Sequence, residues 1–212
     1  MYLSIILPFF NESEIIEKNI LQIVNFFKDK YEFEIIVIND SGKENLILEN
    51  INNKFTNLSL INNDKNYGKG YSIRKGLKKT TGEIILVTDA DLAAPISEFD
   101  KLLHFYKKNN DIVIGSRSCA DSVLLIKQPF YRIFIGRVYN ILIKFILDLE
   151  FKDTQCGFKL FNSKVMKNII TFTNSNRFGL DIELIYFAKK NKYKIYETGV
   201  MWEDKRKSSV LV

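Results

Sequence analysis

The chain has few cysteines and no long apolar run, and these two absences exclude several classes of protein. Its 212 residues include only two cysteines, Cys119 and Cys156. They are too few for a disulfide framework and lack the paired spacing of a metal site, so we expect a reducing compartment. No apolar run reaches the roughly 18 residues of a spanning helix, and strand-like sequence from Tyr2 leaves no room for a signal peptide. We therefore expect a cytoplasmic protein that does not cross a membrane on its own.

The composition is that of an ordinary globular protein with a basic balance. Hydrophobic residues make up 46% and charged residues 26% of the chain, and the formal net charge is +6. This balance suits anionic partners such as nucleotide phosphates, anionic lipids or nucleic acid. Nucleic acid is disfavoured, because the aromatic residues fall mainly at core positions and no basic stripe alternates with exposed rings. The length predicts a single domain over residues 1–212.

Short apolar runs alternate along the chain with longer segments of helical periodicity. The pattern predicts strands at 2–8, 33–40, 58–63, 83–89 and 111–116, and helices at 12–30, 43–55, 70–80 and 97–109. This alternation favours an α/β fold with a Rossmann-like, mostly parallel central sheet and helices on both faces. In such sheets ligands bind beyond the carboxyl ends of the strands.

Four of the predicted strands end in unusually polar sequence. The ends read PFFNES, NDSG, TDAD and GSR. Because parallel strands end at one edge of the sheet, their polar residues should cluster there: Asn11, Glu12, Asp40, Asp89, Asp91 and Arg117. Acids gathered against an arginine favour a functional site over independent solvated turns.

Asp89 and Asp91 are separated only by Ala90 at the end of a buried strand. In an extended chain, residues two apart point the same way, so both carboxylates would face one spot. Like charges held that close repel unless one is protonated or a cation lies between them. Mg²⁺ and Mn²⁺ are the expected cations, because they prefer carboxylate and phosphate oxygens. The alternative is a solvated turn at the strand end, where Asp is common.

Lys69 lies between two glycines at the start of a predicted helix. The glycines at 68, 70 and 76 have the spacing of neither a dinucleotide fingerprint nor a P-loop. Backbone amides and a cation at a helix start can nevertheless meet a phosphate. A helix-leading turn without a ligand is the alternative.

Taken in order, the segments PFFNES, NDSG, NYGKGYSIRKG, TDAD, GSR, DTQCGFKLF and FGLDIEL resemble glycosyltransferase family 2 with its GT-A fold. Within that family the chain is most similar to dolichyl-phosphate glucosyltransferases and related polyprenyl-phosphate sugar transferases. The resemblance covers residues 1–205. It implies a nucleotide-sugar-binding part over 1–117 and an acceptor-binding part over 118–212.

The resemblance also implies roles for individual residues. Asp89 and Asp91 would hold Mg²⁺ or Mn²⁺ on the diphosphate of the donor. The remaining donor contacts would come from Pro8, Asn11, Glu12, Asp40 and Lys69. The acceptor phosphate would lie near Arg117 and Arg132, and the residues implied in catalysis are Asp91, Arg117 and Asp181.

Asp181 bears on which acceptor is used. It stands in the first turn of a predicted amphipathic helix, where an acid is favoured by the helix dipole alone. It could otherwise act as a base or align Lys or Arg groups at the acceptor, with Asp153 as a second candidate base. Similar bactoprenyl-type transferases carry an acid where this chain has Gly157. A phosphate acceptor needs no base and a sugar hydroxyl does, so Asp181→Asn should abolish transfer only to a hydroxyl.

The segment 128–149 has a broad apolar face and carries Arg132, Arg137 and Lys144. Such a helix can lie on an anionic leaflet, with the acceptor phosphate drawn to Arg132 or Arg137, or it can pack against the sheet. We therefore expect a protein peripheral on the cytosolic membrane face, attached by this helix or by a membrane partner protein.

The sequence as a whole predicts an inverting, metal-dependent enzyme that moves a hexose to a polyprenyl phosphate. UDP-glucose is the expected donor, and GDP-mannose is the second candidate. Transfer to a sugar hydroxyl in capsule or lipopolysaccharide synthesis is the alternative reaction. A non-enzymatic nucleotide-binding module is a more remote alternative.

Overall fold

The structure is a computed structural model that describes residues 1–11, 13–125, 143 and 145–203. Its strands are β1 Tyr2–Phe9, β2 Glu32–Asn39, β3 Leu58–Asn62, β4 Ile84–Val87, β5 Ile112–Ser116, β6 Val123–Leu124, β7 Lys159–Asn162, β8 Ile195–Gly199 and β9 Met201–Trp202. Its helices are α1 Ser13–Phe27, α2 Leu46–Lys54, α3 Lys69–Leu77, α4 Glu98–Tyr106, α5 Ser163–Ile169 and α6 Leu180–Lys190, with a 3₁₀ turn at Ile170–Phe172.

The central sheet has seven strands in the order β3-β2-β1-β4-β7-β5-β8. Strands β1, β2, β3 and β4 are mutually parallel, and β5 pairs in parallel with β8. Only β7, among the strands of this sheet, runs antiparallel to its neighbours β4 and β5. Because β7 is antiparallel to both β4 and β5, these two strands run in the same direction. Strand β5 therefore ends at the same edge of the sheet as β1, β2 and β4. The mostly parallel α/β sheet expected from the sequence is confirmed.

The two faces of the sheet bury separate hydrophobic clusters. Alternate residues of a strand point to opposite faces, and β1 places Ile5 in one cluster and Ile6 in the other. On the first face α1 packs its apolar stripe, including Ile20 and Phe27, against the sheet. On the second face α3, α5 and α6 cover the sheet, with Ile185 of α6 fully buried. Each such buried side chain stabilises the fold by about 1.5–3 kcal/mol relative to exposure.

The expected amphipathic helix at 128–149 lies largely outside the described residues. Ile143 is buried in the second cluster, whereas Phe145 and Ile146 are exposed. Within the described part of the chain, no helix combines the length and the apolar character needed to span a bilayer.

Candidate active site

The two acids of the TDAD segment lie in a tight turn after β4. The strand ends at Val87, and the Leu92 amide donates to the Asp89 carbonyl at 3.1 Å. Leu92 has a φ of +47°, in the left-handed region, which a turn and not a strand requires. Asp89 and Asp91 therefore lie in a turn that follows the strand, and not in the extended strand expected at 83–89.

The two carboxylates of this turn have different surroundings. Asp91 is buried, and its Oδ1 accepts a hydrogen bond from the Ala93 amide at 3.0 Å, which stabilises the turn. The Asp89 side chain is 27% exposed, and its Oδ1 lies 2.8 Å from Nζ of Lys69. Gly157 is packed directly against the Asp89 carboxylate, so that a Cβ at 157 would lie 2.5 Å from its Cγ. The absence of a side chain at 157 thus leaves the space that Asp89 occupies.

Asp181 lies in the first turn of α6 and connects two lysines. Its Oδ2 is 3.5 Å from Nζ of Lys69, and its Oδ1 is 2.5 Å from Nζ of Lys159. The Lys159 side chain is only 1% exposed, and its Nζ also donates to the carbonyl of Cys156. The alternating charges Asp89, Lys69, Asp181 and Lys159 are called here the charge network. The network extends from the acidic turn into the interior beneath α6.

Arg117 follows β5 and is held by Asp153. Its Nε and Nη2 donate to the two oxygens of Asp153 at 2.6 and 2.9 Å, and its backbone amide donates at 3.0 Å. Its guanidinium lies 5.6 Å from the ring centre of Trp202. Burial acts to lower the pKa of Arg117, but the hydrogen bonds and charge of Asp153 outweigh it and raise that pKa, and the charge of Asp89 adds to the effect. Arg117 is therefore a cation held in a fixed position by Asp153, and it is also attracted by the charge of Asp89 in the acidic turn.

Asp153 is engaged with the same arginine. Burial alone would raise its pKa, but the hydrogen bonds and charge of Arg117 prevail and hold the pKa of Asp153 below its ordinary value. Its side chain is 1% exposed. The backbone amides of Lys152 and Asp153 donate to Glu197 on β8, which fixes the loop that presents Asp153.

Asp40, at the end of β2, holds the loop that leads into α3. Its Oδ1 accepts from Nδ2 of Asn63 and from the Tyr67 amide, and its Oδ2 accepts from the Gly68 amide at 2.7 Å. The residue is 3% exposed. This arrangement sets the position of Lys69, the first residue of α3.

The glycines beside Lys69 serve a protein contact. The carbonyls of Ser175 and Asn176 approach Gly70 and Gly68 so closely that a Cβ at either position would overlap with them. The Tyr71 amide donates to the Asn176 carbonyl at 3.0 Å. In this structure the start of α3 therefore docks the loop before α6, and the Tyr71 amide is used in that contact.

The other predicted site residues are placed as follows. Pro8 lies within β1 and is half-buried, and Asn11 is exposed just after β1, with a φ of +62°. Glu12, Arg132 and Arg137 lie outside the described residues. The structure thus brings Asp89, Lys69 and Asp181 together, with Asp91 in the same turn as Asp89 and Arg117 at the same edge of the sheet.

Sequence reasoning did not assign Lys159 or the packing role of Gly157. Lys159 lies in DTQCGFKLF, a segment singled out for its likeness to the family. A lysine between the apolar residues Phe158 and Leu160 would have been a usable signal, because lysine is almost never fully buried unless it is paired.

The acidic turn suits a divalent cation that is shared with a substrate. Within the described ranges, no group of three or more His, Cys, Asp or Glu side chains is arranged to hold a metal. Mg²⁺ and Mn²⁺ nevertheless need only one or two carboxylates when phosphate oxygens supply other ligands. The Asp89 carboxylate is partly exposed, and one of its oxygens already lies against a positive charge, that of Lys69. A divalent cation can take the same kind of position, so the residues present fit such an ion.

The fold and the site together define an α/β transferase of the GT-A type, with an acidic turn at the carboxyl edge of the sheet. The chain belongs to glycosyl transferase family 2, whose family model matches residues 4–170.

Curated relatives extend the match over nearly the whole chain. A dolichyl-phosphate beta-glucosyltransferase of Trichomonas vaginalis is 33% identical over 96% of this chain and 66% of its own length. One from Dictyostelium discoideum is 31% identical over 96% of this chain and 67% of its own length. This chain therefore spans about two thirds of the length of these relatives.

Solved structures with the same fold are more distant in sequence. A mannosyltransferase from Pyrobaculum calidifontis, solved with GDP-Man and Mn²⁺, has a TM-score of 0.64 at 18% identity and covers 97% of this chain and 58% of its own. Glucosyl-3-phosphoglycerate synthase from Mycobacterium tuberculosis, solved with UDP, has a TM-score of 0.69 at 14% identity and covers 99% of this chain and 73% of its own. At these identities the likeness establishes the fold alone.

Proposed function

We propose that this chain transfers glucose from UDP-glucose to dolichyl phosphate or a similar polyprenyl phosphate, with inversion at the sugar C1. The names of the relatives support the acceptor class and the sugar. The observation that carries the proposal is that Arg117, fixed by Asp153 just after β5, lies at the same edge of the sheet as the acidic turn after β4. The acidic turn suits a cation-bound diphosphate, and Arg117 suits a second phosphate.

On the donor side, Asp89 and Asp91 would hold Mg²⁺ or Mn²⁺ against the diphosphate. When bound, the ion would neutralise the charge that grows on the leaving diphosphate. The nucleotide pocket would be shaped by Pro8 of β1 and by residues that follow β1 and β2 in the sequence: Asn11, Glu12 and Asp40. Asp40 acts by holding the loop before α3, so its contribution to the pocket is the position of Lys69.

On the acceptor side, Arg117 would bind the phosphate that attacks the sugar. Its side chain remains 29% exposed although Asp153 holds two of its donor groups. A phosphate monoester carries roughly −1.5 to −2 charges at neutral pH and can attack C1 without a base. Arg132 and Arg137 would add positive charge around the same phosphate. Attack from the side opposite the leaving diphosphate inverts the configuration.

The acceptor is a lipid, so we place the enzyme at the cytosolic face of a membrane as a peripheral protein. Segment 128–149 or a membrane partner protein would provide the attachment. Sedimentation with anionic phosphatidylserine vesicles, but not with neutral phosphatidylcholine vesicles, is the expected result for the first route.

The proposal is tested by incubating the purified protein with UDP-glucose and a short dolichyl phosphate in the presence of Mg²⁺ or Mn²⁺. Mass spectrometry should detect a lipid-linked hexose, with less product from GDP-mannose and none in EDTA. Asp91→Asn should abolish the product, whereas Lys78→Gln, an exposed change at the end of α3, should not. Transfer to a glycan hydroxyl without transfer to any polyprenyl phosphate would overturn the proposal.

A further inference from the structure

We propose that Lys69 is an internal counter-cation: it holds Asp89 while the site is without donor, and it yields that carboxylate to the divalent ion when the donor arrives. Asp181 is the positioning residue that keeps the Lys69 ammonium at the site throughout. The inference rests on the proposed function, because it takes the donor to be a nucleotide sugar bound through a divalent ion.

The position of Lys69 between two carboxylates carries the first step. Its Nζ lies 2.8 Å from Oδ1 of Asp89 and 3.5 Å from Oδ2 of Asp181. The side chain is 14% exposed, so water screens these interactions only in part. An ammonium shared by two acids can leave one and stay paired with the other, without being left as an uncompensated charge.

The two carboxylates differ in how firmly they are held. Asp181 is fixed by Lys159, which is itself anchored on the Cys156 carbonyl in the interior. Asp89 lies in a turn, its side chain is 27% exposed, and Gly157 packs against its carboxylate. The Asp181 end of the network is therefore the permanent one, and the Asp89 end is the one that an incoming cation can take.

The charges of the network explain why the divalent ion binds together with the nucleotide donor and not before it. The two acids and two lysines of the network sum to zero, so the Lys69 ammonium already neutralises the charge of Asp89, and Asp91 is a further acid of the turn outside this sum. A divalent ion must compete with the Lys69 ammonium for an oxygen of Asp89. A nucleotide diphosphate changes this balance, because its negative oxygens stabilise both the ion and the displaced ammonium.

This competition gives a test that needs neither acceptor nor turnover. Mn²⁺ binding to the donor-free protein is measured by electron paramagnetic resonance for wild type and Lys69→Gln. Removing the competing charge should tighten Mn²⁺ binding by about tenfold, as expected for one charge a few ångströms from the ion. In the presence of UDP the advantage should vanish or reverse, because the displaced ammonium no longer stabilises the diphosphate.

Two further variants separate the local charge from other effects. Lys78→Gln removes the same charge from the end of the same helix, where the side chain is exposed, and should leave Mn²⁺ binding unchanged. Lys69→Arg keeps the charge and should bind Mn²⁺ as wild type does. Thermal denaturation confirms that each variant is folded.

Mn²⁺ binding that is no tighter in Lys69→Gln than in wild type, including no binding by either, would overturn the inference. Equal tightening in Lys69→Arg would overturn it too, because the effect would then be steric. Failure of the proposed function would show itself separately, as the absence of a lipid-linked hexose in the transfer assay.

Discussion

Replacing Gly157 by alanine should impair catalysis while leaving the fold almost intact. The added methyl group would lie 2.5 Å from Cγ of Asp89, whereas carbon atoms in contact lie about 3.5–4.0 Å apart. The carboxylate must therefore retreat by about 1 Å, which is feasible because only the end of a side chain has to move. That movement disturbs the contact between Asp89 and Lys69 and misplaces a proposed ligand of the ion. A misplacement of about 1 Å can cost on the order of 100-fold in rate.

The assay compares kcat/KM for glucose transfer and thermal stability in the same preparations. A partly exposed ion pair contributes about 0–1 kcal/mol, so Gly157→Ala should lower the melting temperature by no more than about 2–4 °C. Gly76→Ala is the matched control, since its methyl would meet Cδ1 of Ile38 at 2.6 Å in the core. Overpacking there should cost about 1–3 kcal/mol and leave turnover nearly unchanged. Wild-type turnover in Gly157→Ala would refute the reasoning.

Three further predictions concern buried groups. Lys159→Met leaves Asp181 buried without its ammonium partner, so it should lower the free energy of unfolding by about 3–5 kcal/mol in denaturant titrations; a loss below about 1 kcal/mol would contradict the buried pair. Because Arg117 lowers the pKa of Asp153 against the opposing effect of burial, the stability from this pair is fully present above the ordinary value of 3.8 and is lost as the pH falls through the lowered value. The stability difference between wild type and Asp153→Asn should therefore stay constant at neutral pH and shrink in acid, and growth on acidification would argue against it. Burial raises the pKa of Cys156 to about 11, so iodoacetamide at about pH 8 should modify it, by mass spectrometry, only after unfolding; labelling in the folded protein would contradict this.

The repeating pattern of the sequence predicted most of the fold. Every residue of β4 is buried. Such strands can be recognised in the sequence as continuous apolar runs, because both faces of a parallel strand are covered. Strand β7 was not predicted. It is short, it runs antiparallel, and it enters the sheet between β4 and β5 from far along the chain. Such a pairing is set by tertiary contacts that no local periodicity records.

The site was only partly predictable for a similar reason. The convergence of Asp89, Asp91 and Arg117 follows from the rule that parallel strands end at one edge. The use of the glycines at 68 and 70 to dock a distant loop depends on contacts across about 100 residues. Lys159 was missed because its partner Asp181 lies 22 positions away, on the next long helix.

The charge network also changes how a general base should be sought. Loss of activity in Asp181→Asn would not identify a base, because the same change removes the partner of buried Lys159 and releases Lys69. Both oxygens of Asp181 are engaged by ammonium groups, and both oxygens of Asp153 are engaged by Arg117. Every carboxylate oxygen of these two candidate bases therefore has a cationic partner. Such an oxygen is a poor acceptor for a proton from a sugar hydroxyl. A phosphate nucleophile makes no such demand, so the engagement of these two acids favours a polyprenyl phosphate as acceptor.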